Sequence, residues 1–175
     1  MIRKSNGFAL IDIIFVCGIM SILCTIALPR LLLARQSAGA ASAIGSMRAI
    51  SSAQLTFALT CGGGFYAPNL TTLGTAPPSG RDGFIAPSLG GANAVNRSGY
   101  MVQAEGTAFA GAPPSCNGLG AGETAQGYKA GADPIGPGNA RYFAINANGQ
   151  IFEHTSTIFP IMPEVGEPVT GHTLQ

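Results

Sequence analysis

The chain has 175 residues, which is enough for one small domain with an appendage and short for two independent cores. Hydrophobic residues make up 46% of it and charged residues only 10%, so part of the chain is expected to lie in an apolar solvent. The net charge is +1, and the four Lys/Arg after residue 60 are scattered among seven acids, which argues against direct binding of nucleic acid.

The segment from Phe8 to Pro29 is apolar enough to cross a membrane. It contains 22 residues, of which 17 are apolar, and Asp12 is its single charge. As a helix it would be roughly 33 Å long, which matches the hydrocarbon core of a bilayer. Arg3 and Lys4 precede it, so the positive-inside rule places the start of the chain in the cytoplasm. The remainder is expected to be translocated.

Three kinds of membrane segment fit such a run to different degrees. A cleavable secretory signal is disfavoured, because the run is long and because Arg30 and Arg35 come before the small-residue site at 38–40. A lipoprotein signal is disfavoured because large residues precede both Cys17 and Cys24. A retained anchor fits best.

Residues 4–12, KSNGFALID, resemble the prepilin signature of type IV pilins and type II secretion pseudopilins: a basic leader, a Gly, a Phe, apolar residues and an acid. The resemblance implies that prepilin peptidase cuts between Gly7 and Phe8 on the cytoplasmic side and that the new N-terminal Phe8 is methylated. Asp12 stands fifth after this cut, at the position of the family's acid, and Pro29 matches a Pro that commonly interrupts the anchor helix. The family usually has Glu where this chain has Asp12.

The same resemblance implies a function and a set of partners. The chain would be a structural subunit in a bacterial inner membrane, with its N-terminus cytoplasmic, and would then enter a periplasmic pseudopilus or a cell-surface pilus. Its partners would be prepilin peptidase, an inner-membrane assembly platform, membrane lipid before assembly, and copies of itself and other pilin-like subunits. No cofactor, metal or catalytic residue is expected, since the sequence contains none of the common enzyme motifs. The alternative is a signal-anchored periplasmic binding or sensor module that does not polymerise.

The carboxylate of Asp12 in an apolar helix needs a physical explanation whether the chain is a filament subunit or a signal-anchored module. A carboxylate in an apolar helix costs up to about 3 kcal/mol at the bilayer centre, so it usually has a partner. Cleavage after Gly7 would create an α-amine, with which Asp12 of a neighbouring subunit could pair in an assembly. The other interpretation places Asp12 at the membrane interface. Pro29 lacks a backbone donor, and the helix is expected to kink or unwind locally there.

Residues 30–60 are predicted to continue the helix as an amphipathic segment to about Thr60. Apolar or long side chains recur there at steps of three and four residues, at Ala43, Met47, Ile50, Gln54 and Phe57. This stripe is expected to cover a sheet, and the Gly run at 62–64 is expected to end the helix.

Residues 61–175 are predicted to form a loop-rich head with an antiparallel sheet of about four strands, which gives an α+β, pilin-like fold. The strand candidates are 100–105, 128–132, 141–147 and 150–155, while 106–127 and 156–175 are expected to be loops. Asn148-Gly149 predicts a two-residue hairpin turn between the last two strands. That turn would place Ile145 opposite Phe152 and Phe143 opposite His154, on the face that packs against the helix. The domain order is then leader 1–7, membrane helix 8–29, helix continuation 30–60 and head 61–175.

The four cysteines fall into two pairs. Cys61 and Cys116 lie in polar, Gly-rich surroundings, and a disulfide between them would stabilise an exported loop-rich head. Two unrelated free thiols are the alternative. Cys17 and Cys24 lie about two helical turns apart in the apolar run, too far to bridge within one helix, and are interpreted as small buried hydrophobic residues.

Overall fold

The computed structural model describes residues 10–136 and 139–174, in two compact units that comprise residues 1–37 and 38–175. Helix α1 runs from Leu10 to Thr60, as the sequence predicts. Its residues up to Ser37 make up the described part of the first unit. Its later residues belong to the second unit, which also contains every strand of the described chain.

The buried face of α1 in the second unit is the one that the sequence periodicity predicts. Ala43, Met47, Ile50, Gln54 and Phe57 are each at most 1% exposed. Gln54 is the polar residue of this stripe, and its hydrogen-bonding groups are paired. Its side-chain amide accepts a hydrogen bond from the backbone N–H of residue 67 and donates one to the carbonyl of the same residue. Burying an amide with both of its hydrogen-bonding groups paired avoids the desolvation cost of an unpaired one.

Helix α1 ends in the Gly run, as predicted. Gly63 and Gly64 have positive φ angles of 60° and 96°, which glycine adopts without a steric penalty. The N–H of Gly62 donates to the carbonyl of Phe57, and that of Gly64 donates to the carbonyl of Ala58. These bonds satisfy carbonyl groups that the end of a helix would leave unpaired.

The sheet of the second unit is an antiparallel meander of six strands in the order β1-β2-β3-β4-β5-β6. All four expected strands are present, and two short strands, β1 and β6, add to the edges. The strands are β1 Ala94–Arg97, β2 Tyr100–Glu105, β3 Lys129–Pro134, β4 Tyr142–Asn146, β5 Ile151–His154 and β6 His172–Thr173. Two short helices, α2 Leu70–Gly74 and α3 Pro87–Gly90, precede the sheet. The layout is therefore α+β.

The register of the β4–β5 hairpin differs from the prediction by one residue. Ile145 pairs with Ile151, and Phe152 pairs with Ala144 rather than with Ile145. The reason is the turn: the N–H of Gly149 donates to the carbonyl of Asn146 and Gly149 has φ 76°, which matches a three-residue loop ending in a left-handed residue. A shift by one residue moves each side chain of the second strand to the other face of the sheet.

The two faces of the sheet therefore have different cores. The inner face, which packs on α1, carries Phe143 and Ile145. The outer face carries Ala144 and Phe152, and these pack with Ile158 and Met162 from the segment after β5. The prediction that Phe152 faces the helix is wrong. The segment expected to be a loop covers the outer face instead, with one 3₁₀ turn at Phe159–Ile161 and the short strand β6.

Asn146 holds this C-terminal segment in place. It is fully buried, and its side-chain amide donates to the carbonyls of Pro163 and Gly166 at 3.1 and 2.6 Å. The carboxylate of Glu164 accepts from the backbone and the hydroxyl of Thr107. These hydrogen bonds join residues 17 to 57 positions apart in the chain, so strand propensity and turn signals gave no indication of them.

Candidate assembly site

The first unit is a bare apolar helix over its described residues, 10–37. Fifteen large apolar side chains between Leu10 and Leu33 are 45% to 73% exposed. None of the residues in the most apolar stretch of 18 residues in this helix is buried. At about 1.5 Å per residue the segment is roughly 42 Å long, and α1 is long and apolar enough to cross a membrane. An apolar surface of this size is typical of a helix that is surrounded by lipid or packed against another apolar helix.

Asp12 is the acidic residue in the first described turn of α1, and it is exposed there among large apolar neighbours. Gly7 and Phe8, at the predicted cleavage site, lie outside the described residues. The structure therefore places the carboxylate near the start of the apolar helix, and its pairing with an α-amine stays a prediction.

Two hydroxyl groups in the apolar part of the first unit form hydrogen bonds within the helix. The Ser21 hydroxyl donates to the carbonyl of Cys17, and the Thr25 hydroxyl donates to the carbonyl of Ser21, both at 2.8 Å. Neither residue presents an unpaired donor to an apolar environment, which would be costly in a bilayer. Cys17 and Cys24 are free thiols and are exposed, so the expectation that they are buried is wrong for the single chain.

Pro29 lies inside α1, and the helix is continuous through it from Leu10 to Thr60. A proline in a helix interior removes one backbone donor and crowds the preceding turn. The kink expected at this position stays a prediction.

In the second unit, the face of α1 opposite its buried stripe is open. Leu55 and Leu59 are 55% and 76% exposed, and Ala41, Gly45 and Ser52 add small exposed residues to the same side. A helix that buries one stripe and leaves two leucines in solvent has room for a further packing partner on its open side.

The structure joins Cys61 and Cys116 in a disulfide, the pairing that the sequence predicts. Their Cα atoms are 4.8 Å apart, and the bond closes a loop with a sequence separation of 55. Cys61 is buried at the end of α1, and the N–H of Cys116 donates to its carbonyl at 3.1 Å. The bond therefore ties the helix terminus to the long connection between β2 and β3.

Comparison of the chain with protein-family models, with curated proteins and with solved structures gave no match. The functional assignment therefore rests on the residues and on the geometry described above. Within 10–136 and 139–174, no group of three or more His, Cys, Asp or Glu side chains is arranged to hold a metal ion.

An ion pair on the head joins Arg141, the residue before β4, to Glu153 of β5. The Arg141 guanidinium donates through Nε and Nη2 to the two carboxylate oxygens of Glu153, the second at 2.8 Å. These hydrogen bonds from Arg141 lower the pKa of Glu153 below its ordinary value of 4.5, while partial burial opposes the shift. Sequence reasoning missed this pair because the hairpin register was shifted by one residue.

The Arg141–Glu153 pair leads to a pH-dependent prediction for stability. Glu153→Gln is expected to lower the free energy of unfolding at neutral pH by up to about 1 kcal/mol, the upper end for a solvent-accessible pair. Because the folded state lowers the pKa of Glu153, this contribution is present above the carboxylate's ordinary pKa and disappears as the pH falls through the lowered value. Urea unfolding of the full chain in detergent, at neutral and acidic pH, measures the difference.

Glu167→Gln is the matched control, because Glu167 is exposed and takes part in none of the ion pairs between described residues. It should match the parent at both pH values. A difference between Glu153→Gln and the parent that persists unchanged in acid would show that packing, and not the ionised pair, sets the effect.

Proposed function

We propose that this chain is a structural subunit of a type IV pilus or type II secretion pseudopilus. It is cleaved by prepilin peptidase, methylated at Phe8, held in the inner membrane by α1 and assembled through that helix into an extracytoplasmic filament. The observation that carries the proposal is the uncovered apolar helix with one acid, Asp12, in its first described turn. It is supported by the resemblance of residues 4–12 to the prepilin signature.

The second unit is consistent with this proposal. Its α1 residues bury one stripe against an antiparallel sheet and leave the opposite side open, so one helix can belong both to the head and to a packed assembly. The disulfide between Cys61 and Cys116 suits a head that functions in an oxidising compartment outside the cytoplasm.

Processing gives the direct test of this function. Mass spectrometry of the membrane-extracted protein should find an N-terminus at methylated Phe8. Gly7→Val should block processing, because Gly7 would be the residue on the leader side of the scissile bond. Gly18→Val is the control: apart from the chain neighbours and the backbone of the adjoining helical turns, no atom of the described chain lies within 4 Å of the position that a Cβ would take at Gly18. The larger side chain therefore fits the single chain, and cleavage should proceed.

Two outcomes would contradict the proposal. In cells with an active prepilin peptidase, a protein that still begins at Met1 would favour the signal-anchored module that does not polymerise. A protein that begins near residue 41 would indicate an ordinary secretory signal. In either case, sheared surface fractions and periplasmic filament preparations should contain no polymer of the chain.

A further inference from the structure

A groove with a volume of about 400 Å³ lies on the second unit, between α1 and the segment that contains α3 and β1. On one side it is lined by small residues of α1, which include Gly45 and Ala49, and on the other side by Ile85, Leu89 and Arg97. We call it the α3 groove. Strand β1, which ends at Arg97, is one edge of the sheet, so the α3 groove adjoins that edge.

Arg97 is the charged residue among those that line the α3 groove. It is exposed, and its Nη1 donates to the hydroxyl of Ser88 at 3.0 Å. It takes part in none of the ion pairs between described residues. A guanidinium has five N–H donors in a fixed fork, so Arg97 keeps donors that can bind a carboxylate.

The opposite edge of the sheet carries an exposed apolar segment with an acid. Residues 165–169, which we call the valine segment, come shortly before β6, the other edge strand. Val165 is 61% exposed and Val169 is 95% exposed. Glu167, between them, is exposed and is likewise absent from the ion pairs of the described chain. An apolar side chain that lies almost wholly in water gains free energy when a partner buries it.

We propose that the valine segment of one copy docks into the α3 groove of another, with Val169 in the groove and Glu167 paired with Arg97. This inference rests on the proposed function, and it names a contact between neighbouring heads in the filament. Charge complementarity selects this occupant, because the groove has a base without an acid and the segment has an acid without a base. Glu167 and Val169 are two residues apart, at most about 7 Å along the chain, so one docked segment reaches both parts of the groove.

The positions of the two surfaces suit a filament. They adjoin opposite edges of one sheet, and the exposure of Val169 shows that they do not meet within one copy. A contact between two different surfaces of identical copies is heterologous, and it continues as a helical filament unless the rotation closes a ring. Pro168 fixes its own φ angle and restricts Glu167 to extended conformations, so docking costs the segment less conformational entropy.

Charge reversal tests the pairing of Arg97 with Glu167. Arg97→Glu and Glu167→Arg should each reduce the ratio of filament to membrane pool by about tenfold or more, because like charges then face each other. The double variant restores opposite charges and should assemble within about threefold of the parent. Arg81→Glu is the matched control: Arg81 is exposed on the same head and lies outside the α3 groove, so its reversal should change assembly by no more than about twofold. Losses that persist in the double variant, or equal losses in Arg81→Glu, would overturn the inference.

Filling the α3 groove tests the apolar part of the contact without changing a charge. Ala49 is exposed on α1, and leucine has nearly the helix propensity of alanine, so Ala49→Leu should leave the head folded while it blocks the groove. The expected loss of filament is again about tenfold. Thr56→Leu is the control, because Thr56 is exposed two turns further along nearly the same side of α1 and lies outside the groove. Urea unfolding of both variants in detergent should match the parent. A folded Ala49→Leu variant that assembles as well as the parent would contradict the docking.

Cysteine cross-linking detects the contact directly. In a Cys17→Ala, Cys24→Ala background, Ala86→Cys places a thiol in the lining of the groove and Val169→Cys places one on the valine segment. Oxidation of isolated filaments should link successive copies into a ladder, since a disulfide needs Cα atoms within about 7 Å of each other. In the control, Ser79→Cys, at an exposed position outside the groove, replaces Ala86→Cys and should give no ladder. Filaments without a ladder from the first pair, or with an equal ladder from the control, would refute the contact.

The outcomes separate this inference from the proposed function. A parent chain that forms no filament contradicts both. A parent that assembles, with Asp12→Ala defective and with Arg97→Glu and Glu167→Arg normal, leaves the proposed function standing and shows that the heads do not meet through the valine segment.

Discussion

Asp12→Ala is expected to be cleaved normally and to fail in assembly. The substitution removes the acceptor for the α-amine of an adjoining subunit and leaves that amine unpaired in the filament core. Breaking a buried ion pair in this way costs about 3 to 5 kcal/mol, which is enough to shift nearly all of the protein into the membrane pool. Asp12→Glu should be tolerated, because it keeps the charge and restores the longer side chain that the family usually has. The measurement is the ratio of sheared filament to membrane pool, detected with one antibody.

Mass spectrometry of the same samples provides the control for processing, since both variants should begin at Phe8. The contrary result is Asp12→Ala entering filaments as well as the parent does. Asp12 would then be an interfacial residue of the membrane helix, without a role in assembly.

Removing the disulfide is expected to have the largest effect on the stability of the head. Replacing Cys61 and Cys116 together by serine should lower the free energy of unfolding by roughly 4 kcal/mol, because the open chain regains the entropy of a loop with a sequence separation of 55. Chemical denaturation of the full chain in detergent, followed by a spectroscopic signal from the tyrosines of the head, measures the loss. Non-reducing peptide mapping of the parent should recover the linked pair.

The chain provides its own control in Cys17→Ser and Cys24→Ser. Both are free thiols in the apolar helix of the first unit, and their replacement should leave the unfolding of the head unchanged. Freely alkylated Cys61 and Cys116 in native, exported protein would contradict the prediction, as would a double serine variant as stable as the parent.

Features set by local periodicity were predictable from the sequence. The extent of α1 to Thr60, its buried stripe from Ala43 to Phe57 and its end in the Gly run all follow from side-chain spacing within a few turns of helix. The four central strands were identified from alternating apolar residues and turn signals, and they are present in the sheet. The apolar segment was recognisable because its length and composition alone make it fit a membrane.

Features that depend on contacts between distant residues were not predictable. The register of the β4–β5 hairpin depends on whether the loop holds two residues or three, and Asn148-Gly149 is compatible with both. The edge strands β1 and β6 are four and two residues long, too short for a periodic signal. The tertiary structure decided that the C-terminal segment covers the outer face, because Phe152 and Ala144 there need apolar partners and Asn146 binds the segment's carbonyls.

The sequence by itself determined a helix able to cross a membrane, an acid near the start of that helix and an α+β head, because each of these features is encoded by residues close together in the chain.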